Sequence, residues 1–362
     1  MASAGRRTYH TLDGMRGVAA LFVVARHMGY AFHPVSFPNS FIAVDLFFVL
    51  SGFVIAAAYD KRLASGTLTT ARFVVLRYIR LWPLYLLGTL FGLAILYSKM
   101  MHGKALLDPV TFRAIVPFSL LMVPSVVTPG FYPASAVAWT LFYELAINIV
   151  YAATFRWAGT KLLVTVAAAA AAGIIAASVS RATLDSGWSW ATCWIGLARV
   201  AYSFPVGILL YRYHARLPRI AAPAWLILAA LAGLLAVSVP AAAHVPYLDL
   251  AVLVLLPALV AAAVNSEPHR RWIGIFSTLG VTSYAIYVLH PPLLTSIDWI
   301  CDKLGIHYGR ISPWSGLMIL ALVFAAAWVA DRIYDRPLRA WLTALSNRDT
   351  GRNNVSRPDS AA

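Results

Sequence analysis

The hydrophobic positions of this 362-residue chain fall into long runs that short polar segments separate. A helix needs about 20 apolar residues to cross the hydrocarbon core of a bilayer. Ten runs approach or reach this length: 14–32, 40–59, 79–98, 138–156, 161–179, 191–211, 221–239, 247–264, 279–297 and 314–333. A weaker run at 114–124 is short and contains proline, so it fits an eleventh span, a re-entrant segment or an interfacial helix. The pattern predicts an all-α polytopic membrane protein with about ten transmembrane helices.

The composition agrees with this class of protein. The chain is 60% hydrophobic and 12% charged, with a mean hydropathy of +0.73, whereas soluble domains are about 45–50% apolar and about 25% charged. The net charge of +15 does not indicate nucleic-acid binding, because the basic residues form short clusters between apolar runs. The two cysteines, Cys193 and Cys301, lack the spacing of a metal site or a disulfide framework, so we expect free thiols and no metal.

The positions of the basic residues predict an orientation. With ten spans and a cytoplasmic amino terminus, twenty of the 29 lysines and arginines fall in cytoplasmic segments, six in external segments and three within spans. An eleventh span at 114–124 would move most of the later arginines to the wrong side of the membrane. We therefore expect both termini in the cytoplasm and a long external segment at 99–137. The polar residues 343–362 predict a disordered cytoplasmic tail after a membrane domain at 1–342.

The first apolar run, LDGMRGVAALFVVARHM at 12–28, carries four ionisable residues. Such side chains are costly in lipid and usually face protein or a water-filled interior. Arg16 and His27 lie on one helix face, about 16 Å apart along the axis, and Asp13 precedes Arg16 by one turn, close enough to pair with it. Arg26 lies off this face, which predicts an anchor in the external headgroups. The face is either a helix-start ion pair beside a packed histidine or one wall of a polar site.

Other runs also place polar side chains at bilayer depth. They are Asp45, Glu144, Asn148, Arg199, Tyr287 and His290. Glu144 and Asn148 share one helix face, and Arg199, nearly central in its run, needs an acceptor, for which Glu144 is the candidate. Each residue alone is at least as consistent with a structural contact between helices as with a function. Together they predict a polar cavity with the base and the orienting carboxylate that proton transfer needs.

The segment TTARFVVLRYIRLWPLYLL at 69–87 places Arg77 and Arg80 one turn apart at the predicted cytoplasmic mouth of the third run. Two guanidinium groups in this position can bind phosphates bidentately. The alternative is ordinary anchoring of the helix to lipid headgroups. Ser51 precedes a glycine but lacks a Gly-x-Ser-x-Gly context, so we expect it to serve close packing.

These stretches resemble the acyltransferase-3 family of integral membrane O-acyltransferases. The matching motifs occur in order along nearly the whole chain. They are LDGMRGVAALFVVARH with Arg16 and His27 at R-x10-H spacing, VDLFFVLSGFVI at 44–55, RYIRLWPLY with Arg77 and Arg80, AWTLFYEL around Glu144, SYAIYVLHPPLL at 283–294 and DRPLRAWL at 335–342.

The resemblance implies transfer of an acyl group, usually acetyl, from a cytoplasmic acyl-CoA to a hydroxyl of a surface polysaccharide or of its lipid-linked sugar precursor. Acyl-CoA would be a donor substrate, with no tightly bound cofactor, and the chain would lie in the inner membrane of a bacterium. A small-molecule acceptor such as a macrolide is the alternative within the family. A transporter or flippase with a proton relay, or a membrane scaffold, is the alternative of another class.

The resemblance and the chemistry of the side chains together predict roles for individual residues. His27 would be the base that deprotonates the acceptor hydroxyl, with Arg16 steadying the acyl-CoA or the developing oxyanion, and Asp13 holding Arg16. Arg77 and Arg80 would bind the phosphates of CoA. The remaining candidates are Glu144, which would orient the acceptor or His27, and Asp45, Asn148, Arg199, Tyr287 and His290, which would bind substrate or support these groups. A covalent acyl-histidine is an alternative route.

Overall fold

The computed structural model describes residues 8–104, 107–216 and 222–355, with side chains described up to Asn347. These residues form helices and connecting turns, without a β-sheet in the described part of the chain. The helices are α1 (His10–His27), α2 (Ala43–Ala64), α3 (Thr70–Met101), α4 (Pro109–Leu120), α5 (Ala138–Thr154), α6 (Thr160–Arg181), α7 (Cys193–Tyr213), α8 (Ala224–Ala236), α9 (Ala241–Leu250), α10 (Leu256–Val264), α11 (Ile273–Lys303), α12 (Trp314–Ala330) and α13 (Arg336–Val355). Short π-helical turns join α9 to α10 and α12 to α13.

Every predicted apolar run coincides with a helix. In the described residues, seven helical stretches are long and apolar enough to cross a membrane: Ser40–Ala64, Thr70–Met101, Thr160–Arg181, Trp190–Arg216, Ala241–Val264, Arg270–Lys303 and Trp314–Asn347. The other three runs fall on α1, which carries charges, and on the shorter α5 and α8. The prediction of an all-α polytopic membrane protein is confirmed, whereas the orientation of the termini stays a prediction.

The weak run at 114–124 falls on α4, which packs against α3 in antiparallel order. Phe112 lies beside Tyr97, with ring centroids 5.9 Å apart, and the Trp82 indole donates to the Leu120 carbonyl at 3.0 Å. Between these two contacts α4 advances from Phe112 to Leu120, about 12 Å, alongside the part of α3 between Tyr97 and Trp82. The chain then returns along α3 before α5 begins. Of the three alternatives for this run, the structure favours the re-entrant segment.

The connecting segments gather at two ends of the helix bundle, and those at one end contact each other directly. At this end lie residues 28–42, 121–137, 182–192 and 304–313. Here the Phe131 amide donates to the Trp188 carbonyl at 3.0 Å, and the Ser312 hydroxyl donates to the His33 carbonyl at 2.7 Å. A topology of ten spans, in which α4 is a re-entrant segment rather than a span, also places these four connecting segments on one side of the membrane.

Glycines allow two helix pairs to approach closely where the site forms. A Cβ on Gly52 of α2 would lie 2.1 Å from the Phe204 carbonyl oxygen of α7, so only glycine fits the contact. Between α1 and α11, Gly17 faces Leu279 and Gly280 faces Asp13. The two helices consequently run parallel and bring Arg16 and His27 alongside the middle of α11.

The predicted boundary at residue 342 falls inside α13. Residues 343–355 continue this helix, where the sequence predicts a disordered tail. The Arg72 guanidinium of α3 donates to the backbone carbonyl of Ser346 at 3.0 Å and also to Asn347, which ties the start of this segment to the bundle. Residues 356–362 lie outside the described part of the chain, and the division at 342 stays a prediction.

Candidate active site

His27 lies at the carboxyl end of α1 and has its ring set for base chemistry. Its Nδ1 lies 2.7 Å from the Val23 carbonyl oxygen. A carbonyl only accepts, so Nδ1 carries the proton and the neutral ring keeps a lone pair on Nε2. The side chain is exposed within a cavity of about 840 Å³. The geometry therefore leaves one nitrogen of His27 free to take a proton from a bound molecule.

The cavity that contains His27, the histidine cavity, lies between the connecting segments at one end of the bundle. Its walls combine aromatic rings with a few polar groups. They include His27, Arg26, Phe131, Trp139, Asp185, Trp188 and Tyr287. A cavity of this size and lining is typical of a binding site for a small molecule or for part of a larger one.

Arg26 belongs to the wall of the histidine cavity. Its guanidinium pairs with Asp185 at 2.6 Å, donates to the Pro38 carbonyl and lies 5.3 Å from the centre of the Phe41 ring. The prediction of a headgroup anchor is wrong, because the 182–192 connection supplies a carboxylate within reach. Both side chains remain partly exposed, at 29% and 45%.

A second, smaller space of about 150 Å³, the arginine cavity, lies deeper among the helices. Arg16, Arg77, Arg80 and Glu144 all line it. Arg77 pairs with Glu144 at 3.0 Å, whereas Arg16 and Arg80 make no hydrogen bond to other described residues. Three guanidinium groups against one carboxylate leave an excess of positive charge, which favours an anionic ligand. The arginine cavity thus brings Arg16 and Glu144 together with Arg77 and Arg80, the two residues predicted to bind the donor.

Glu144 is held by two donors from neighbouring helices. Its Oε1 atom accepts from the Ser51 hydroxyl at 2.9 Å and from Arg77 at 3.0 Å. Ser51 is buried, as expected for close packing, and its hydroxyl also orients a carboxylate of the site, a role that its sequence context did not predict. The spacing contained a signal: Ser51 follows Val44 by seven residues and Phe48 by three, and both line the arginine cavity.

Tyr287 and Val44 are the residues that the linings of both cavities share. The Tyr287 hydroxyl lies 2.8 Å from the Thr140 hydroxyl, and its ring centre lies 6.1 Å from that of His290. His290 in turn lies beside His27, with ring centres 5.0 Å apart. The two cavities therefore meet at Tyr287, near the histidine pair.

His290 itself is fully buried. Its Nδ1 atom lies 3.1 Å from the Ile286 carbonyl oxygen, and its Nε2 atom has no hydrogen-bond partner among the described residues. Asn148 is also fully buried, and neither of its amide atoms has such a partner. Asn148 lines neither cavity, so the structure does not bring it into the site.

Asp13 makes no direct ion pair with Arg16, although its charge lies close enough to act on the Arg16 guanidinium. Among the described residues, no ion pair within 4.0 Å joins the two, and Asp13 packs against Gly280 of α11 instead. The predicted pairing is wrong, because the close approach of α11 occupies the space beside Asp13 while Arg16 lines the arginine cavity. Asp13 lines neither of the two cavities.

Arg199 pairs with Asp45 rather than with Glu144. Its Nε and Nη2 atoms donate to the two carboxylate oxygens at 3.0 and 2.7 Å, and both side chains are fully buried. Further donations reach the carbonyls of Phe41 at 3.1 Å and Leu184 at 3.0 Å. The expectation of Glu144 as the acceptor is wrong, because the glycine contact between α2 and α7 brings Asp45 opposite Arg199. The pair ties α2 to α7, and Arg199 also lines the histidine cavity.

The described residues contain no group of three or more histidine, cysteine, aspartate or glutamate side chains that could hold a metal ion. Cys193 and Cys301 are both free.

Comparison with known proteins agrees with this arrangement of cavities. A family model described as an acyltransferase domain, that of the acyltransferase-3 family, matches residues 9–332. The chain is 39% identical over 170 residues to "Protein 2 in picA locus" of Rhizobium radiobacter, covering 43% of this chain and 86% of that protein. It is 29% identical over 373 aligned positions to "Acyltransferase MdmB" of Streptomyces mycarofaciens, covering 90% of each. No solved structure matches the chain significantly.

The family model spans most of the bundle and both cavities, including His27 and the arginines of the smaller one. The chain therefore belongs to the acyltransferase-3 family, and it is an O-acyltransferase built into the membrane by multiple apolar helices.

Proposed function

We propose that the protein transfers an acyl group, acetyl by preference, from acyl-CoA to a hydroxyl of a surface polysaccharide or of its lipid-linked sugar precursor, in the inner membrane of a bacterium. One observation carries this proposal. A cationic cavity and a cavity containing a free imidazole nitrogen meet at Tyr287 and Val44. An acyl transferase needs such a junction between its donor and its acceptor.

The arginine cavity suits the donor. Acyl-CoA carries phosphate groups at one end and the reactive thioester at the end of a narrow arm. Arg77 and Arg80 would bind phosphates, since guanidinium groups match their geometry and charge. A volume of about 150 Å³ fits the arm rather than the nucleotide, so the nucleotide would stay at the mouth. Arg16 would then steady the arm further inside.

The histidine cavity suits the acceptor. Its volume of about 840 Å³ accommodates one or two sugar rings of a longer chain. Trp139 and Trp188 offer flat apolar faces to the C–H faces of a sugar, while Arg26 and Asp185 offer hydrogen bonds to its hydroxyls. The cavity lies among connecting segments at one end of the bundle, where a surface glycan could enter.

His27 would act as the general base. Its Nε2 would take the proton of the acceptor hydroxyl as that oxygen attacks the thioester carbon, a contribution of roughly 10²–10⁴-fold to the rate. A covalent acyl-histidine on Nε2 is the alternative route. Glu144, which Ser51 and Arg77 hold in place, would orient the donor within the arginine cavity.

The test is a substitution of His27 with a matched control. The control is His102, whose Nδ1 also lies 2.7 Å from the carbonyl four residues earlier but which lines neither cavity. With purified protein, acetyl-CoA and acceptor glycan, we expect His27→Ala to lose at least about 100-fold in CoA release, and His102→Ala to keep the wild-type rate. Normal turnover of His27→Ala would refute the proposed base.

Two further readouts separate the alternatives. CoA release that requires acceptor supports acyl transfer, whereas movement of substrate without CoA release would indicate a transporter. Label from acetyl-CoA that stays on the protein without acceptor, and disappears in His27→Ala, would indicate the covalent route. Deletion of the gene should remove an acyl mass from surface glycans, and an unchanged glycan profile would point to a small-molecule acceptor.

A further inference from the structure

We infer that Tyr287 is a catalytic residue, and that its hydroxyl donates a hydrogen bond to the thioester carbonyl oxygen as negative charge develops there. This inference rests on the proposed function and adds to it the group that stabilises the transition state. Acyl transfer passes through a tetrahedral species whose oxygen is negative, and preorganised donors at that position supply a large part of the catalysis.

The position of the reaction limits which groups can serve. The acceptor oxygen must lie within hydrogen-bond reach of His27 Nε2, and the carbonyl carbon must lie within bonding distance of that oxygen. Arg16 precedes His27 by eleven residues on the same helix, about 16 Å along the axis, and lines only the arginine cavity. Arg16 is therefore too far from the reacting carbonyl to stabilise its oxygen.

Tyr287 lies at the required depth. It is one turn before His290 on α11, and the His290 ring lies 5.0 Å from that of His27. Of the two residues that line both cavities, Val44 has no hydrogen-bonding side chain, so Tyr287 is the polar group at their junction. Its ring packs edge-on against Phe47, with centres 5.5 Å apart, which holds the hydroxyl in place.

The hydrogen bonds around Tyr287 leave its hydroxyl proton available to a bound substrate. The Thr140 hydroxyl donates to the Val137 carbonyl at 3.0 Å, so in the 2.8 Å contact between the two hydroxyls Tyr287 is the donor. When a thioester carbonyl arrives, the Tyr287 hydrogen turns toward it and the Thr140 hydrogen turns to the Tyr287 oxygen. The Val137 carbonyl keeps the backbone N–H of Thr140, at 3.3 Å. No group loses its last partner in this exchange.

The chemical step then balances as follows for direct transfer. The acceptor oxygen bonds to the carbonyl carbon, its proton moves to His27 Nε2, and the carbonyl electron pair moves onto the oxygen that Tyr287 contacts. Collapse of this species re-forms the carbonyl and breaks the carbon–sulfur bond. The proton on His27 passes to the departing sulfur, which leaves as the thiol of CoA, and His27 returns to its neutral form.

The experiment compares Tyr287→Phe with Tyr202→Phe. Phenylalanine keeps the ring packing and removes only the hydroxyl. Tyr202 is half-buried on a membrane helix and donates to the Leu253 carbonyl, but it lines neither cavity. We expect Tyr287→Phe to lower kcat by roughly 10²–10³-fold with little change in KM for acetyl-CoA and the same pH dependence as the wild type. Tyr202→Phe should keep wild-type kinetics.

Thr140 tests the proton arrangement. Thr140→Val removes the group that supports Tyr287 and should lower kcat by about 3- to 10-fold, the value of one neutral hydrogen bond, while Thr140→Ser should restore it. A kcat of Tyr287→Phe within about threefold of wild type, in a preparation where His27→Ala is inactive, would overturn the inference and leave the proposed function standing. If His27→Ala is fully active as well, the proposed base fails, and this inference, which places Tyr287 relative to His27, fails with it. If the wild-type protein releases no CoA in the presence of acceptor, the proposed function itself fails.

Discussion

Two groups of buried charges in this membrane protein are arranged in opposite ways. Arg199 donates to both oxygens of Asp45 and to backbone carbonyls, and neither side chain is exposed at all. The arginine cavity instead holds three guanidinium groups around the single carboxylate of Glu144, and Arg16 and Arg80 lack hydrogen bonds to other described residues. The first group is complete within the protein, whereas the second has capacity left for a ligand.

The difference separates structural charges from functional ones. Ionisable groups at bilayer depth are costly and persist where partners satisfy them or where a function requires them. The Arg199–Asp45 pair, in which each donor nitrogen of Arg199 has an acceptor, stabilises the contact between α2 and α7. Three like charges repel each other in the empty protein, and a bound phosphate would relieve that repulsion. Mutations should therefore affect folding in the first group and substrate binding in the second.

The largest effect should follow from Asp45→Ala. The change leaves the Arg199 charge buried without its carboxylate, and breaking a buried pair in this way costs about 3–5 kcal/mol. We expect little folded protein in membranes and a clearly lower Tm in detergent. Asp60→Ala breaks a pair between the same two helices, with Arg212, that is 17–22% exposed, and should destabilise less. Equal stability of Asp45→Ala and the wild type would contradict a structural role.

A smaller and different effect should follow from Arg80→Gln. Loss of one charge-assisted hydrogen bond to a phosphate is worth about 1.5–3 kcal/mol, which raises KM for acetyl-CoA roughly 10- to 100-fold while Tm stays the same or rises. Steady-state kinetics and thermal unfolding measure both quantities. The control Arg62→Gln removes a charge from an exposed arginine outside the cavity and should leave KM unchanged. A fall in Tm without a change in KM would place Arg80 among the structural charges.

The smallest effect should follow from Arg26→Gln. Its pair with Asp185 is partly exposed, and exposed pairs contribute at most about 1 kcal/mol. We expect unchanged folding and KM for the acceptor glycan within about threefold to fivefold of wild type, with KM for acetyl-CoA unaffected. A loss of folded protein as large as that of Asp45→Ala would show that exposure does not separate the two kinds of pair in this chain.

Features within one helix could be predicted from the sequence. The apolar runs give the helices, and helical spacing places Arg77 and Arg80 on one face of α3, where both line the arginine cavity. The partners across helices could not be predicted in this way, because they depend on which helices touch and at what height. Asp45 pairs with Arg199 because the glycine contact at Gly52 brings α2 and α7 together. Asp13 makes no ion pair with Arg16 because α11 passes close to Asp13.

The fold of the weak run shows a similar limit. Its length and its proline left three alternatives open, and the contacts of α4 with α3 favour one of them. The role of Ser51 was missed for the same reason: its partner Glu144 is 93 residues away in the sequence. The spacing of Ser51 from Val44 and Phe48 shows which way it faces, but not what it meets.

Arg199 binds the connecting segments around the histidine cavity through their backbone carbonyls, at Phe41, Leu184 and Ser186. A carbonyl is the same in every amino acid, so the side chains at these positions can change without releasing the anchor. Evolution could therefore diversify the acceptor-facing surface while the backbone stays in place. For directed evolution toward new acceptors, libraries should randomise side chains of these segments that line the cavity, such as Asp185 and Trp188, and keep the Asp45–Arg199 pair constant.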